Sequence, residues 1–177
     1  TAFDVAFSQI LTHPARPGTV LHMQGHIESP SVRSVEAKAG NLRNTGLQPA
    51  PAADFSAIDE VRLYAPSPDG TKVPITLLYR KTTVLSADNP TLLIGYGAYG
   101  IPITPAFDAT RLAWLEHGGI IAFAHVRGGG EYGEAWHRAG QKATKENTIV
   151  DFIACAEFLI KFGFTSPRRL AIQGTSA

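Results

Sequence analysis

The stretch RLAIQGTSA, residues 169–177, joins an apolar run to a cluster of small residues. Residues 170–172 predict a short strand, and Gly174 stands two positions before Ser176, as in the G-x-S-x-G motif of a nucleophile elbow. In that elbow a strand turns sharply into a helix, and small residues flank the serine because the backbone there is strained. The same residues also fit an ordinary small-residue loop after a strand. The stretch therefore predicts an α/β fold and, as one of two interpretations, a nucleophilic serine.

Strands and helices alternate over the residues that precede this stretch. Three short apolar runs predict strands, at residues 92–94, 120–126 and 170–172. One helix is predicted to follow Pro105 and to end at Gly118, and a second is predicted to begin where Thr148 and Asp151 form a capping-box arrangement. This alternation predicts a mostly parallel sheet with helices on both faces.

A hairpin pattern lies ahead of these elements. Residues 61–65 and 73–79 alternate in polarity, and Asp69 and Gly70 stand between the two runs. Asp-Gly between alternating runs is a strong local signal for a hairpin.

Residues 1–55 carry only β patterns. Large apolar side chains alternate with small or polar ones over residues 3–7, which predicts a strand. Short strands without a helical period fit a sandwich, a barrel or a propeller blade. The Pro- and Ala-rich residues 49–54 predict an extended linker. We therefore place a domain boundary near residue 55, between a domain of residues 1–55 and one of residues 56–177.

The composition excludes several classes of function. The 177 residues are 44% hydrophobic and carry a net charge of +1, without a basic block that would predict a nucleic-acid or membrane partner. No apolar run approaches the roughly 18 residues of a membrane span. One cysteine, Cys155, excludes an internal disulfide. The histidines are scattered without a carboxylate or cysteine at ligand spacing, so we predict no metal site.

Two further residues, Cys155 and His125, are expected to have structural roles. Cys155 lies on the apolar face of a predicted helix, and His125 lies in an apolar strand, so both are expected in the core.

The oligomeric state is not indicated by the sequence. For the compartment, the cytoplasm is favoured and the periplasm is left open.

The loop GYGAYG, residues 95–100, is the second candidate for chemistry. Its glycines allow tight turns and a close approach of substrate. In enzymes with a nucleophile elbow, a loop after an early strand supplies part of the oxyanion hole, and a tyrosine hydroxyl can act as the donor. A plain glycine-rich loop is the alternative interpretation.

The stretch RGGGEYG, residues 127–133, contains a G-x-G-x-x-G pattern after a predicted strand, which is the context of a dinucleotide-binding fingerprint. Two features count against that interpretation. Gly140 falls early in a weak helical pattern, and the acidic Asp151 lies within a helical pattern and not at the end of a second strand.

Taken together, these stretches resemble the prolyl oligopeptidase family of serine peptidases. The resemblance is carried, in matching order and spacing, by RLYAPSPDGTKVPITLLYRK (62–81), GYGAYGIPITPAF (95–107), HVRGGGEYGEAWHRAGQKATKENTIVDFIACAEFLI (125–160) and FTSPRRLAIQGTSA (164–177). It is strong over residues 56–177, and implies that they are the N-terminal part of an α/β-hydrolase domain. It is weaker over residues 1–55, which would be the last blade of the family's β-propeller and its linker.

The resemblance implies roles for individual residues. Ser176 matches the nucleophile, Tyr96 matches the tyrosine whose hydroxyl holds the oxyanion, and the backbone N–H of Ala177 matches the second oxyanion donor. Tyr99 matches an aromatic that lines the substrate pocket. Thr175 departs from the Gly or Arg of well-known members. Ala177 stands where strict prolyl enzymes have Asn and basic-residue-specific relatives have Ala.

The implied activity is that of a serine oligopeptidase that hydrolyses short peptides without a cofactor or metal. Cleavage after proline is expected, because the loop at residues 96–105 is similar to that of the prolyl members. The family's catalytic Asp and His follow the serine, and the chain ends one residue after Ser176. We therefore expect a fragment that is inactive alone. Two rivals stay open: a carboxylesterase or thioesterase on the same fold, and a non-catalytic nucleotide-binding module that uses residues 127–133.

Overall fold

The computed structural model describes residues 5–48, 50–51 and 53–176. The chain divides into two compact units, each with its own sheet. The first unit comprises Thr1–Ser56 and Thr104–Leu112, and the second comprises Ala57–Ile103 and Ala113–Ala177. Throughout the described ranges, the helices are too short or too polar to cross a membrane.

Four antiparallel strands form the sheet of the first unit, in chain order: β1 (Val5–His13), β2 (Arg16–Gly25), β3 (Ser31–Val35) and β4 (Leu42–Asn44). The alternation that predicts a strand at residues 3–7 continues into β1, although residues 3 and 4 lie outside the described ranges. Gly18 has a φ of 109°, and a Cβ there would lie 2.7 Å from the carbonyl oxygen of Val35. The close approach of the start of β2 to the end of β3 therefore requires glycine at this position.

The helix predicted to follow the Thr-Pro pair is shorter than expected, since α1 spans only Arg111–Glu116. Upstream of it, the ring of Phe107 lies 4.9 Å from that of Phe55, within the first unit. The carboxylate of Asp108 then accepts the backbone N–H of Thr110 at 2.9 Å. Such an aspartate turn competes with helix formation, which explains the late start of α1.

The sheet of the second unit is mixed, with both parallel and antiparallel pairs of neighbouring strands. Its strands are β5 (Ile58–Pro66), β6 (Lys72–Arg80), β7 (Thr91–Gly95), β8 (Ile120–Ala124) and β9 (Leu170–Gly174), in the spatial order β5-β6-β8-β7-β9. The neighbour pairs β8–β7 and β7–β9 are parallel, and β6 is the one strand of the five that runs in the opposite direction. The predicted hairpin β5–β6 is confirmed, but it pairs antiparallel with β8 and extends the same sheet. Helices on both faces stay a prediction.

Two further helices follow β8: α2 (Glu134–Arg138) and α3 (Glu146–Lys161). The longer helix, α3, packs on β5 and β6. Its Cys155 and Leu159 are fully buried against sheet residues such as Leu77 and Leu93. Burial raises the pKa of the Cys155 thiol, so the thiol stays protonated and unreactive at neutral pH. The expectation that Cys155 belongs to the core is confirmed.

The capping box predicted at Thr148 is wrong. The helix α3 already begins at Glu146, so Thr148 lies inside its first turn. Its buried hydroxyl donates to the carbonyl oxygen of Arg127 at 2.7 Å. Thr148 therefore joins the helix to the loop after β8 and does not cap its own helix.

Candidate functional site

Two loops leave the same edge of the second sheet. The strands β7 and β9 are parallel neighbours, and their last residues, Gly95 and Gly174, are paired in register. Since parallel neighbours end at the same edge, the loop that begins at Tyr96 and the turn that begins at Thr175 emerge side by side. This register brings together the two stretches that the sequence singled out.

A cavity of about 190 Å³ lies at this edge. Tyr96 and Ser176 both line it, so the two principal site residues predicted from the sequence share one cavity. The remaining described lining residues come from β7, the start of the loop after β8, α3, β9 and the turn after it: Gly95, Val126, Thr148, Ile149, Phe152, Ile172, Gln173, Gly174 and Thr175. The lining is largely apolar.

Ser176 has the backbone expected of an elbow serine. It is exposed, and its φ is 68°, in the left-handed region. For a residue other than glycine this conformation costs roughly 1–2 kcal/mol. Only Tyr99 and Lys142 share such a φ among the other non-glycine residues of the described ranges. A strained, exposed serine directly after a strand is the signature of a nucleophile elbow.

The loop after β7 must be glycine-rich because other groups press on it. A Cβ on Gly95 would lie 2.6 Å from the ring of Phe152, so glycine lets this ring reach the cavity floor. Gly97 has a φ of 71°, and a Cβ there would overlap the methyl of Thr148 and the side chain of Val126. Both positions exclude any side chain, which fixes the path of the loop on either side of Tyr96.

Two glycines of residues 127–133 allow close packing of the chain on itself. A Cβ on Gly128 would overlap the carbonyl oxygens of Gly97 and Gly140, and one on Gly130 would overlap that of Gly100. The faces of these two glycines are therefore covered by backbone carbonyls of the chain itself. The helix that follows, α2, has only five residues, whereas a dinucleotide site has a long helix at this place. The packing argues against the nucleotide-binding alternative.

The far end of the loop after β7 is anchored by a buried polar chain. The backbone N–H of Ile103 donates to Oε1 of Glu131 at 3.0 Å, and this oxygen lies 3.5 Å from Nδ1 of His125. Nε2 of the histidine lies 2.8 Å from Oγ1 of Thr76, which itself accepts from Nε of Arg62 at 3.0 Å. His125 is a buried core residue, as predicted.

Two predicted site residues are not brought into this cavity. Tyr99 is 75% exposed, with a φ of 57°, and is not among the described residues that line the cavity. Its role in a substrate pocket stays a prediction. Ala177 lies outside the described residues.

Most of the cavity floor was not predicted from the sequence. Ile149, Phe152 and Ile172 form its apolar part, and no local pattern marks them as site residues. The signal that could have found them is the Gly95 position, since a glycine at a strand end indicates a close approach by another element. No His, Asp or Glu is among the described lining residues, so a general base for Ser176 is not part of this lining. Three or more metal-ligating side chains do not cluster anywhere in the described ranges.

Comparison with known proteins gives consistent matches. The model of the prolyl oligopeptidase family matches residues 105–177. The prolyl endopeptidase of Elizabethkingia meningoseptica is 38% identical over 153 residues, which are 85% of this chain and 21% of that protein. The dipeptidyl aminopeptidase BI of Pseudoxanthomonas mexicana is 40% identical over 144 residues, which are 81% of this chain and 20% of that protein. The chain thus spans about a fifth of the length of these curated relatives.

A solved structure extends the likeness to the fold. Oligopeptidase B from Trypanosoma brucei, in a closed form with covalently bound antipain, has a TM-score of 0.87 and is 36% identical. The match covers 98% of this chain and 25% of that chain.

Proposed function

Because the chain belongs to the prolyl oligopeptidase family, we propose that it is part of a serine peptidase that hydrolyses short peptides. The observation that carries the proposal is the strained, exposed Ser176, which shares a cavity with Tyr96. A serine held at positive φ at a strand end has no structural benefit that glycine would not provide better. The position is therefore explained by the chemistry of the hydroxyl.

The finer architecture is part of this proposal. The second unit would be the N-terminal part of an α/β-hydrolase domain, with the hairpin β5–β6 at one side of the sheet and the elbow after β9. The four-stranded antiparallel sheet β1–β4 would be the last blade of a β-propeller. The similarity of the chain to solved structures of oligopeptidase B and prolyl endopeptidase supports this assignment.

The proposed mechanism is acyl transfer. Oγ of Ser176 attacks the scissile carbonyl and loses its proton to a histidine, which an aspartate orients. The carbonyl oxygen becomes an oxyanion, which the Tyr96 hydroxyl and the backbone N–H of Ala177 stabilise. The histidine then protonates the leaving amine, and water releases the acyl group from Ser176 by the same route. Since the lining offers no base, we assign the histidine and aspartate to the enzyme outside this chain.

The first experiment labels the nucleophile in the full-length enzyme that contains this chain. An alkyl fluorophosphonate is expected to modify Ser176, located by mass spectrometry of the labelled peptide. The 177-residue chain alone is expected to stay unlabelled, because a serine without a base is a weak nucleophile at neutral pH. Label on a residue other than Ser176 in the full-length enzyme would overturn the assignment.

Substrate preference is tested with matched peptidyl amides and esters. We propose cleavage after proline, which the similarity of the loop at residues 96–105 to prolyl members supports. A substrate with proline before the scissile bond is expected to have a higher kcat/KM than the same peptide with arginine there. Preference for arginine would place the enzyme with the basic-residue-specific relatives. Ester turnover without amide cleavage would favour a carboxylesterase or thioesterase.

Replacing Tyr96 by phenylalanine is expected to lower kcat by about 10²–10³-fold with little change in KM. The phenol would donate to the oxyanion only as negative charge develops, so its loss affects the transition state more than substrate binding. Steady-state kinetics of the full-length enzyme measures this, with Tyr132→Phe as a control tyrosine outside the cavity. An unchanged kcat would show that the Tyr96 hydroxyl is not an oxyanion donor.

A further inference from the structure

Lys145 lies where the local structure does not favour a cation. It occupies the N-cap of α3, a helix of 16 residues, and makes no side-chain capping hydrogen bond. The N-terminus of a helix carries partial positive charge, so an ammonium group there is unfavourable for the helix. The position of Lys145 therefore needs an explanation from outside α3.

The explanation is a contact with the loop that carries Tyr96. Nζ of Lys145 donates to the carbonyl oxygen of Gly97 at 2.8 Å. Gly97 is buried and directly follows Tyr96 in the chain. The hydroxyl of Thr148 also approaches this oxygen, at 3.4 Å, but it lies closer to the carbonyl oxygen of Arg127, at 2.7 Å. A hydroxyl has one proton, so Lys145 is the principal donor to Gly97.

The Gly97 carbonyl is tightly packed in its present position. Its oxygen lies so close to Gly128 that a Cβ there would overlap it. A buried carbonyl without a donor is unfavourable, and rotation of the Gly97 peptide would relieve that cost. Such a movement would rotate the peptide next to Tyr96, and displacements of about 1 Å are enough to lower rates strongly.

We propose that Lys145 is a positioning residue for the oxyanion donor, acting through the Gly97 carbonyl on the placement of the Tyr96 hydroxyl. The proposal rests on the proposed function of Tyr96. Lys145 itself is not among the described residues that line the cavity, so it does not act on the substrate directly.

The test uses full-length enzyme with Lys145→Met, which keeps the apolar stem and removes the donor. We expect kcat to fall about 10-fold with KM within about twofold. Lys145→Arg, which keeps a donor, is expected to restore at least half of the kcat. Lys142→Met is the matched control. Lys142 is an exposed lysine three residues before Lys145, and its ammonium group makes no hydrogen bond within the described part of the chain. It is expected to leave kcat unchanged.

A double variant separates positioning from a general loss of structure. If Lys145 acts through the Tyr96 hydroxyl, adding Lys145→Met to Tyr96→Phe should change kcat by less than about twofold. A further tenfold loss in the double variant would overturn the inference, as would an unchanged kcat in Lys145→Met. An unchanged kcat in Tyr96→Phe would instead overturn the proposed oxyanion role itself.

The inference stays testable if Lys145→Met does not fold. Lys145→Gln keeps an N–H donor on a side chain one bond shorter and is expected to give an intermediate kcat, again without effect in the Tyr96→Phe background. A kcat equal to that of the unmodified enzyme, or a loss that persists with Tyr96→Phe, would count against the positioning role.

Discussion

Replacing Ser176 by alanine is expected to lower kcat for peptide hydrolysis by the full-length enzyme by a factor on the order of 10⁶. The hydroxyl is the only group proposed to form a bond with the substrate, and a methyl group leaves no nucleophile at the elbow. The residual rate would come from the oxyanion donors and substrate binding, which typically leave 10³–10⁴-fold acceleration over water. Active-site titration and burst kinetics of the purified variant measure this loss.

The same position should show opposite effects on activity and stability. Ser176→Gly is expected to be as inactive as Ser176→Ala, yet more stable by about 1 kcal/mol, because glycine adopts a φ of 68° without strain. Ser176→Ala keeps the strain and should unfold at nearly the original midpoint. Thermal unfolding of the three proteins tests this comparison. If Ser176→Gly is less stable than Ser176→Ala, the elbow is not strained, and the structural argument for a nucleophile at this position fails.

Ser176 and Tyr96, the two principal residues predicted from the sequence, line one cavity in the structure. Each of them is marked by a local pattern: Ser176 follows a strand that ends in Gly174, and Tyr96 lies in the glycine-rich loop after a strand. Their meeting, however, depends on the pairing of β7 with β9, two strands separated by β8 and α3 in the chain. Chain order alone does not determine which parallel strands are neighbours. The sharing of one cavity is therefore a result of the structure.

Residues that act through long-range contacts were assigned wrongly or not at all. Thr148 and Asp151 were interpreted as a local capping pair, because a capping box is defined by a spacing of three residues. In the structure each binds the loop after β8 instead, at Arg127. Lys145 carries no sequence pattern at all, since its partner is a backbone carbonyl 48 residues away. Hydrogen bonds to a distant backbone leave no periodic signal.

The contact between Asp151 and Arg127 is a buried ion pair with nearly complete hydrogen bonding. Oδ2 of Asp151 accepts from Nε of Arg127 at 2.8 Å and from its backbone N–H at 3.0 Å, while Oδ1 accepts from Nη2 at 2.6 Å. Ser67 donates to Oδ1 at 2.7 Å, and Asp69 binds the other terminal nitrogen of the guanidinium. These hydrogen bonds, with Asp151 first among them, raise the pKa of Arg127. The cluster joins the turn of the β5–β6 hairpin to α3 and to the loop after β8.

Removing one partner of this pair is expected to be strongly destabilising. Asp151→Leu should lower the free energy of unfolding by about 3–5 kcal/mol, because it leaves a guanidinium buried without its carboxylate. Arg127→Met should cost a similar amount for the reciprocal reason. The double variant should recover much of the loss, since two apolar side chains leave no buried charge unpaired. Asp69→Asn is the control: its side chain is 48% exposed, and the loss should stay below about 1 kcal/mol.

Urea denaturation of the full-length protein, followed by tryptophan fluorescence, measures these differences. Trp136 is a suitable reporter, because its indole N–H donates to the carbonyl oxygen of Val126, next to Arg127. A double variant that loses the sum of the two single losses would show that the residues stabilise the fold independently. A loss below about 1 kcal/mol in Asp151→Leu would show that the hairpin turn and α3 are held by apolar packing alone. The expected pattern, with two large single losses and a smaller double loss, would instead show that this ion pair holds the hairpin turn, the loop after β8 and α3 together.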